Sequence, residues 1–509
     1  MAPFLRSVIW LWISLGLVPV LFVLYHTFHF NDLVTIVEDS TTFRLMIHSF
    51  SMASLVTSAA MAIGTPLGLL FGKTDLPGRT TLLFLLAIPL LLPTTVYALA
   101  WRSGLDLLGL DDGWFQGFWG TSFVMTMALL PIPTLLTALF LKSVPATLEE
   151  AALLSTGWGR TIWHVTLPLL RPVLILSALL VFMLCLGEFG VPMLLHYDVF
   201  SVESFTRFSA FYDIHSATVA ALPLAIAAMI LAGSESILSR KRSVQLSART
   251  LRHDALIISL KHPFMSTAMA SSIVFFTTLL PLGAIVATVG RWDAWMEGWQ
   301  LGVDALGRSL ALASVGASFV LFFGYFIGYA FARRVILGIA LVDLAAFFLF
   351  ALPGTVLGIA LIALFNRPGL DVLYGSWWLP IIGYIAKYTL LSERICTAAV
   401  LGTPLSMEDA ARLSGAGWLA SLRYILLPMH INILTGAWFV AFLFILRDTG
   451  VTMILYPPGG DTLPVRLLTM MANGAPAVVA ALALMTTVTV LLSALFFTMA
   501  LRLHTGRRK

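Results

Sequence analysis

The 509-residue sequence predicts an all-α membrane protein with twelve transmembrane helices in two pseudo-symmetric six-helix units. Three observations predict it. Only 11% of residues are charged and 59% are hydrophobic, whereas a soluble domain carries roughly 25% charge. Apolar runs long enough to cross a bilayer recur along the whole chain. The two halves also align when one is shifted by 260 residues, the distance from His48 to Arg308. This composition excludes an ordinary soluble enzyme, a disordered regulator and a disulfide scaffold. Cys185 and Cys396 both lie in or beside apolar runs, and the histidines show no ligand spacing. No metal site or disulfide framework is expected.

The first repeat, 1–238, holds runs at about 8–28, 47–71, 81–100, 121–141, 170–192 and 217–236. The first follows Arg6 and lacks a small-residue cleavage site, so it reads as an uncleaved span. A basic cytoplasmic linker, 239–262, includes SRKRSVQLSARTLRH. The second repeat, 263–509, holds runs at about 264–289, 309–332, 338–364, 377–393, 430–453 and 477–501. Pro93 and Pro353 occupy matching mid-span places, where a missing N–H should break the helical ladder and kink each span.

Lys and Arg set the orientation. With the N-terminus in the cytoplasm, the cytoplasmic segments gather Lys73, Arg79, Arg240, Lys241, Arg242, Arg333 and Arg334, among others. The outer segments keep only Arg44, Arg102, Arg207, Arg291, Arg308, Arg367 and Arg466. Both termini are then cytoplasmic. Trp101, Trp114, Trp119, Trp292, Trp295, Trp299, Trp377 and Trp378 fall on the outer side, as an interfacial belt. The net charge of +5 follows from this bias and implies no nucleic-acid partner.

The repeat is visible in detail. HSFSMAS from His48 matches RSLALAS from Arg308, and VFMLCLGEFGVPMLL from Val181 matches AFLFILRDTGVTMIL from Ala441. One offset held across several spans describes a duplicated unit of even span number.

Two cytoplasmic loops are long and match each other: 145–168, within PATLEEAALLSTGWGRTIWHVTLPLLRP, and 404–428, within PLSMEDAARLSGAGWLASLRYILLPMH. Each reads as a helix, a break and a second helix. Thr147 with Glu150, and Ser406 with Asp409, have capping-box spacing. The acidic pairs Glu149/Glu150 and Glu408/Asp409 suit the positive end of a helix dipole. Ala151–Ala152 and Ala410–Ala411 permit close backbone approach, and Gly157, and Gly415 with Gly417, suit a left-handed stop.

These loops resemble the EAA motif of permease subunits of binding-protein-dependent ABC importers: Glu-Ala-Ala, three residues, Gly, nine residues, Ile, one residue, Leu-Pro. The second loop fits as Asp409-Ala410-Ala411, Gly415, Ile425 and Leu427-Pro428. The first fits as Glu150-Ala151-Ala152, Val165 and Leu167-Pro168, one residue short, with Thr156 where glycine is expected. The chain as a whole looks like the fused permeases of the ferric-iron and thiamine group, type I importers in which one chain supplies both halves of the pore. The resemblance implies coupling helices docked on a cytoplasmic ATPase, with Glu150 and Asp409 as the acidic docking positions. It implies two ATPase copies, which hold ATP and Mg, one periplasmic solute-binding protein, and residence in the bacterial inner membrane. No cofactor and no catalysis are expected on this chain.

Other signals mislead. GLLFGKT, Gly68 to Thr74, has three residues where a phosphate-binding loop needs four, and it ends a span. Asp75, Gly78 and Arg79 are faintly similar to the signature of major-facilitator secondary transporters, the alternative twelve-span reading. That feature is not repeated in the second half. A membrane-embedded enzyme would need clustered nucleophiles or bases, which the sequence lacks.

Charges within spans are costly, about 2.5–3.5 kcal/mol on insertion scales. Glu188 and Asp448 sit at equivalent places late in the fifth and eleventh spans, followed by Gly190 and Gly450. Two readings stand: acidic groups facing the pathway near its outer gate, or interfacial groups, Asp448 pairing with the adjacent Arg447. Asp343 and Lys387 lie in neighbouring spans and are placed to pair with each other as a structural contact. The resemblance admits ferric iron, thiamine or another small solute as cargo, and the acidic pair points to a cation.

Overall fold

A computed structural model of the protein describes residues 1–27, 40–110, 113–211, 214–241 and 256–506. Residues 242–255 of the basic linker lie outside the described residues. The first part of the chain forms α1 (Ala2–Thr27), α2 (Ser40–Lys73), α3 (Arg79–Leu91), α4 (Thr94–Leu107) and α5 (Gly117–Phe140). It continues with α6 (Ala146–Leu153), α7 (Trp158–Leu186), α8 (Gly190–Leu194), α9 (Phe200–Phe211) and α10 (Ile214–Lys241). The same series then recurs: α11 (Pro263–Val289), α12 (Trp292–Arg333), α13 (Ile339–Ala351), α14 (Gly354–Phe365) and α15 (Trp378–Leu401). It closes with α16 (Leu405–Leu413), α17 (Trp418–Leu446), α18 (Gly450–Leu455), α19 (Leu463–Asn473) and α20 (Pro476–Gly506).

Helices satisfy their own backbone polar groups, as a lipid environment requires. Among the described residues, nine helices are long and apolar enough to cross a membrane, or up to eleven if each bent pair is one span. The run predicted at 377–393 lies in α15, which carries Lys387, Glu393 and Arg394 and is not one of them.

Several boundaries differ from the sequence reading. The runs around Pro93 and Pro353 are not kinked spans. Each is two helices, turned by 106° between α3 and α4 and by 108° between α13 and α14. A proline that follows an extended residue cannot carry the ladder through, so a new helix starts in a new direction. The fifth and eleventh runs start and stop earlier than expected. α7 and α17 begin within the two long matching loops and pass through π-helical turns at Ile162–Thr166 and Leu422–Leu426. Those wide turns directly precede Leu167–Pro168 and Leu427–Pro428, whose prolines lack the N–H an α-helical turn needs. α12 runs for 42 residues, so the stretch expected as an outer loop before Arg308 is helical. Trp101 is buried against Phe123, its ring edge-on at 4.7 Å, and does not belong to an exposed belt.

α2 and α12 are the packing centres of the two parts. Gly64 and Gly68 lie against Pro133, Thr134 and Thr137 of α5, while Gly324 and Gly328 lie against Ser392, Glu393 and Thr397 of α15. A Cβ at Gly68 would stand 2.6 Å from Thr137 Cβ, and one at Gly324 2.5 Å from Ser392 Cβ. Small residues here let membrane helices meet backbone to backbone.

The first helix of each part crosses over. α1 packs on α12, α14 and α15, and Trp12 is fully buried in that core. α11 in turn packs on α3 and α4. Tyr97 donates to the Thr277 carbonyl at 2.5 Å, and Thr278 donates to the Leu85 carbonyl at 3.0 Å.

Candidate functional site

The two short loop helices α6 and α16 start directly after Pro145 and Pro404, and neither has a side-chain cap. Thr147 and Ser406 lie inside the helices, so the expected capping boxes do not form. The prolines start the helices instead: their fixed φ suits entry, and the N–H they lack would have no helical partner there.

The acidic pairs split. Glu149 and Glu408 are buried, whereas Glu150 and Asp409 are exposed. Successive helical residues point about 100° apart, so one acid faces the bundle and its neighbour faces out. Glu149 pairs with Lys73 at the end of α2 and accepts the Thr166 hydroxyl at 2.8 Å. Glu408 pairs with Arg333 at the end of α12 at 2.7 Å and accepts the Tyr329 hydroxyl at 2.7 Å. Lys73 is thus the basic residue of the misleading phosphate-loop stretch.

The outward face of α6 carries Glu150 and Ala151, with Ala152 half-buried; that of α16 carries Asp409 and Ala410, with Ala411 buried. Leu154 and Leu413, each 91% exposed, close these faces. The sequence reading missed both leucines and the two cations. Their signal was present, because Lys73 matches Arg333 and Leu154 matches Leu413 once the repeats are aligned.

The turns that follow differ. Gly415 adopts φ +81°, with the Ala416 N–H bonded to the Ala411 carbonyl at 2.9 Å, a Schellman stop. Gly157 and Gly417 are extended and begin the next helix, so neither supplies a left-handed stop. In the shorter first loop, Thr156 turns the chain by bonding the Ala152 carbonyl through both its N–H and its hydroxyl, each at 2.9 Å.

Four of the charges in or beside the apolar runs, Glu188, Lys387, Arg447 and Asp448, meet at one place. Glu188, Lys387, Tyr388, Arg447, Asp448 and Gly450 all line a cavity of about 90 Å³ between the two helix turns. Glu188 and Asp448 stand in the breaks after α7 and α17, not inside spans. The Glu188 carboxylate accepts the Gly190 N–H at 3.0 Å. The Asp448 carboxylate accepts the N–H groups of Val451 and Thr452 at 2.9 and 3.0 Å, the Thr452 hydroxyl at 3.0 Å and the Tyr388 hydroxyl at 2.5 Å. Arg447 donates to the Leu90 carbonyl and covers the Phe444 ring. Lys387 donates to the Leu352 carbonyl at 2.5 Å. Both carbonyls are released where the helix stops ahead of Pro93 or Pro353. Lys387 therefore does not pair with Asp343, whose partner is Arg394 at 3.0 Å. Gly190 and Gly450 are close-approach points: a Cβ would meet Thr95 Cγ2 at 2.4 Å and Gly354 Cα at 3.3 Å, respectively.

Farther along α2 and α12, away from α6 and α16, like bonds again recur. Ser49 accepts the Phe200 N–H at 3.1 Å, and Ser309 accepts the Leu463 N–H at 2.8 Å. His48 contacts the Asp198 carbonyl at 3.0 Å, and Arg308 donates to the Asp461 carbonyl at 2.9 Å.

No family model matches the sequence. The chain is 22% identical over 418 residues to the Fe(3+)-transport system permease protein FbpB 2 of Haemophilus influenzae, covering 81% of each chain. It is 24% identical over 371 residues to the ferric transport system permease protein FbpB of Actinobacillus pleuropneumoniae, covering 69% of this chain and 54% of that one. It is 30% identical over 149 residues to the molybdenum transport system permease protein ModB of Escherichia coli, covering 26% of this chain and 65% of that one. The chain is a membrane permease of an ABC importer. The relatives that span most of the chain are ferric-transport permeases.

The major-facilitator reading is not favoured, and its residues have another role in the permease. Asp75 accepts the Leu260 N–H at 3.0 Å, Gly78 takes φ +70°, and Arg79 donates to the Thr74 carbonyl at 3.2 Å. Together they form a turn that holds the chain entering α11.

Proposed function

We propose that this permease provides both halves of the pore of an ATP-driven importer, as two six-helix units with twelve spans, α15 included, and both termini in the cytoplasm. The partners are two copies of a cytoplasmic ATPase, which hold ATP and Mg, and one periplasmic solute-binding protein. The membrane is the bacterial inner membrane. The carrying observation is the pair of like-built helices α6 and α16, each with an exposed acid and an exposed leucine on one face. An ATPase cleft can seat the leucine and pair a basic residue with Glu150 or Asp409. ATP-driven closure then displaces both helices, and the two units rock between outward- and inward-facing states.

Glu188 and Asp448, with Gly190 and Gly450, belong to the pathway as its closure point. Two acids and two cations line a cavity of only about 90 Å³. The carboxylates are already occupied by N–H and hydroxyl donors, so this site is a gate and not a chelating site for a cation. Cargo selection then rests with the binding protein. The ferric-transport relatives that span most of the chain support ferric iron as the cargo.

The test is uptake of radiolabelled ferric iron into vesicles carrying the permease with its ATPase and binding protein. ATP-dependent uptake that persists without an ion gradient is expected. Uptake driven by the gradient alone refutes the importer reading, and uptake of molybdate instead of iron refutes the cargo.

A further inference from the structure

Within each acidic pair, the buried member has a different task from the exposed one. We infer that the ion pairs Lys73–Glu149 and Arg333–Glu408 are struts that set the angle of each cytoplasmic helix on the membrane helix behind it, making Lys73 and Arg333 positioning residues for coupling. This inference rests on α6 and α16 being the ATPase-docking helices.

The geometry carries it. α6 has eight residues and α16 nine, and each is bounded by turns. Helices this short do not hold an orientation by themselves. Each is tied at one buried carboxylate. Glu149 joins α6 to α2 through Lys73 and to α7 through Thr166. Glu408 joins α16 to α12 through Arg333 and Tyr329. Arg333 also donates to the Thr403 carbonyl at 3.0 Å, and the Thr403 hydroxyl meets His430 Nε2 of α17 at 2.8 Å. Each strut therefore gathers the docking helix, the long helix whose glycine face packs backbone to backbone, and the helix that ends at the gate.

Position and chemistry argue for alignment over stability. The cations stand 260 residues apart and the acids 259 apart, so both copies hold the same pair. A buried ion pair adds little net stability compared with an apolar pair of similar size, because both ions lose their water. What it supplies is direction, since it is satisfied at one geometry. The strut moves as a unit with α2 or α12, so a push on the docking face becomes a tilt of the bundle.

The test uses the full chain with its ATPase and binding protein in lipid discs. Lys73→Met/Glu149→Met and Arg333→Met/Glu408→Met each remove both charges without leaving one unpaired. Each is expected to insert, to keep the ATPase through purification and to hydrolyse ATP at the basal rate. Stimulation of hydrolysis by the loaded binding protein is expected to be lost. Glu149→Gln and Glu408→Gln, which keep the side-chain shape, are expected to show the same loss even where a Met pair does not insert. Lys73→Arg and Arg333→Lys are expected to keep stimulation.

Normal stimulation in the Met and Gln variants overturns the inference. So does loss of the ATPase from those complexes, which would make the pair part of the docking surface or of helix folding. Failure of the conservative variants to keep stimulation also overturns it. A wild-type chain that never retains an ATPase refutes the importer reading itself, and the inference with it.

Discussion

Arg447 donates to the carbonyl of Leu90, which lies 357 residues earlier in the chain. A cation following α17 thereby closes the open end of α3, where the helix stops ahead of Pro93. Lys387 does the same for Leu352 ahead of Pro353. The two helix turns that face the central cavity are thus both held by cations from the second part of the chain.

Arg447→Met should free the Leu90 carbonyl in an apolar setting. Leaving a buried polar group unpaired costs about 1–3 kcal/mol. The expected result is a lower unfolding midpoint in detergent and raised ATP hydrolysis without binding protein, with partial recovery in Arg447→Lys. Hydrolysis that still waits for the binding protein in Arg447→Met would remove the clamp from the gate.

Glu150→Lys combined with Asp409→Lys should abolish uptake and weaken retention of the ATPase, while the chain still inserts. Both side chains are exposed, so folding has little stake in them. Co-purification and vesicle uptake read the outcome, and normal uptake in the double variant sinks the docking assignment.

Asp448 and Glu188 occupy equivalent places but bear different loads. The Asp448 carboxylate takes two backbone N–H groups and two hydroxyls, and so fixes the start of α18. Losing an N-cap interaction typically costs about 1 kcal/mol. Asp448→Ala should therefore lower thermal stability as well as transport, whereas Glu188→Gln should alter transport and leave stability near wild type. Equal unfolding midpoints for the two variants would contradict this division.

Gly68→Val and Gly324→Val should each prevent close packing of α2 on α5 or of α12 on α15. Overpacking costs typically about 1–3 kcal/mol, and here backbone atoms stand among the obstacles: the Thr134 carbonyl at 2.7 Å and the Glu393 N at 2.8 Å. Reduced yield of monodisperse protein on size exclusion measures this. Gly233→Val, with nothing within 4 Å of its Cβ, is the control expected to behave as wild type.

The sequence by itself determined the membrane class, the recurring order of helices and the two matching helix–break–helix loops. These rest on composition, periodicity and local spacing, which a chain shows before it folds. It also marked Pro93, Pro353, Glu188 and Asp448 as exceptional, since a proline or a carboxylate in an apolar run is conspicuous. It did not show that each proline turns the helix by more than a right angle, because a kink and a full turn read alike in one dimension. It paired Lys387 with Asp343, whereas folding sets Lys387 on a carbonyl freed by such a turn and gives Asp343 to Arg394. It treated Glu149 and Glu150 as one acidic pair, although a step of about 100° along a helix buries one and exposes the other. The crossing of α1 and α11 onto the opposite parts was decided by tertiary structure alone. Which apolar faces meet depends on shape complementarity between distant segments, and lipid, being equally apolar, leaves no pattern of polarity in the sequence to announce it.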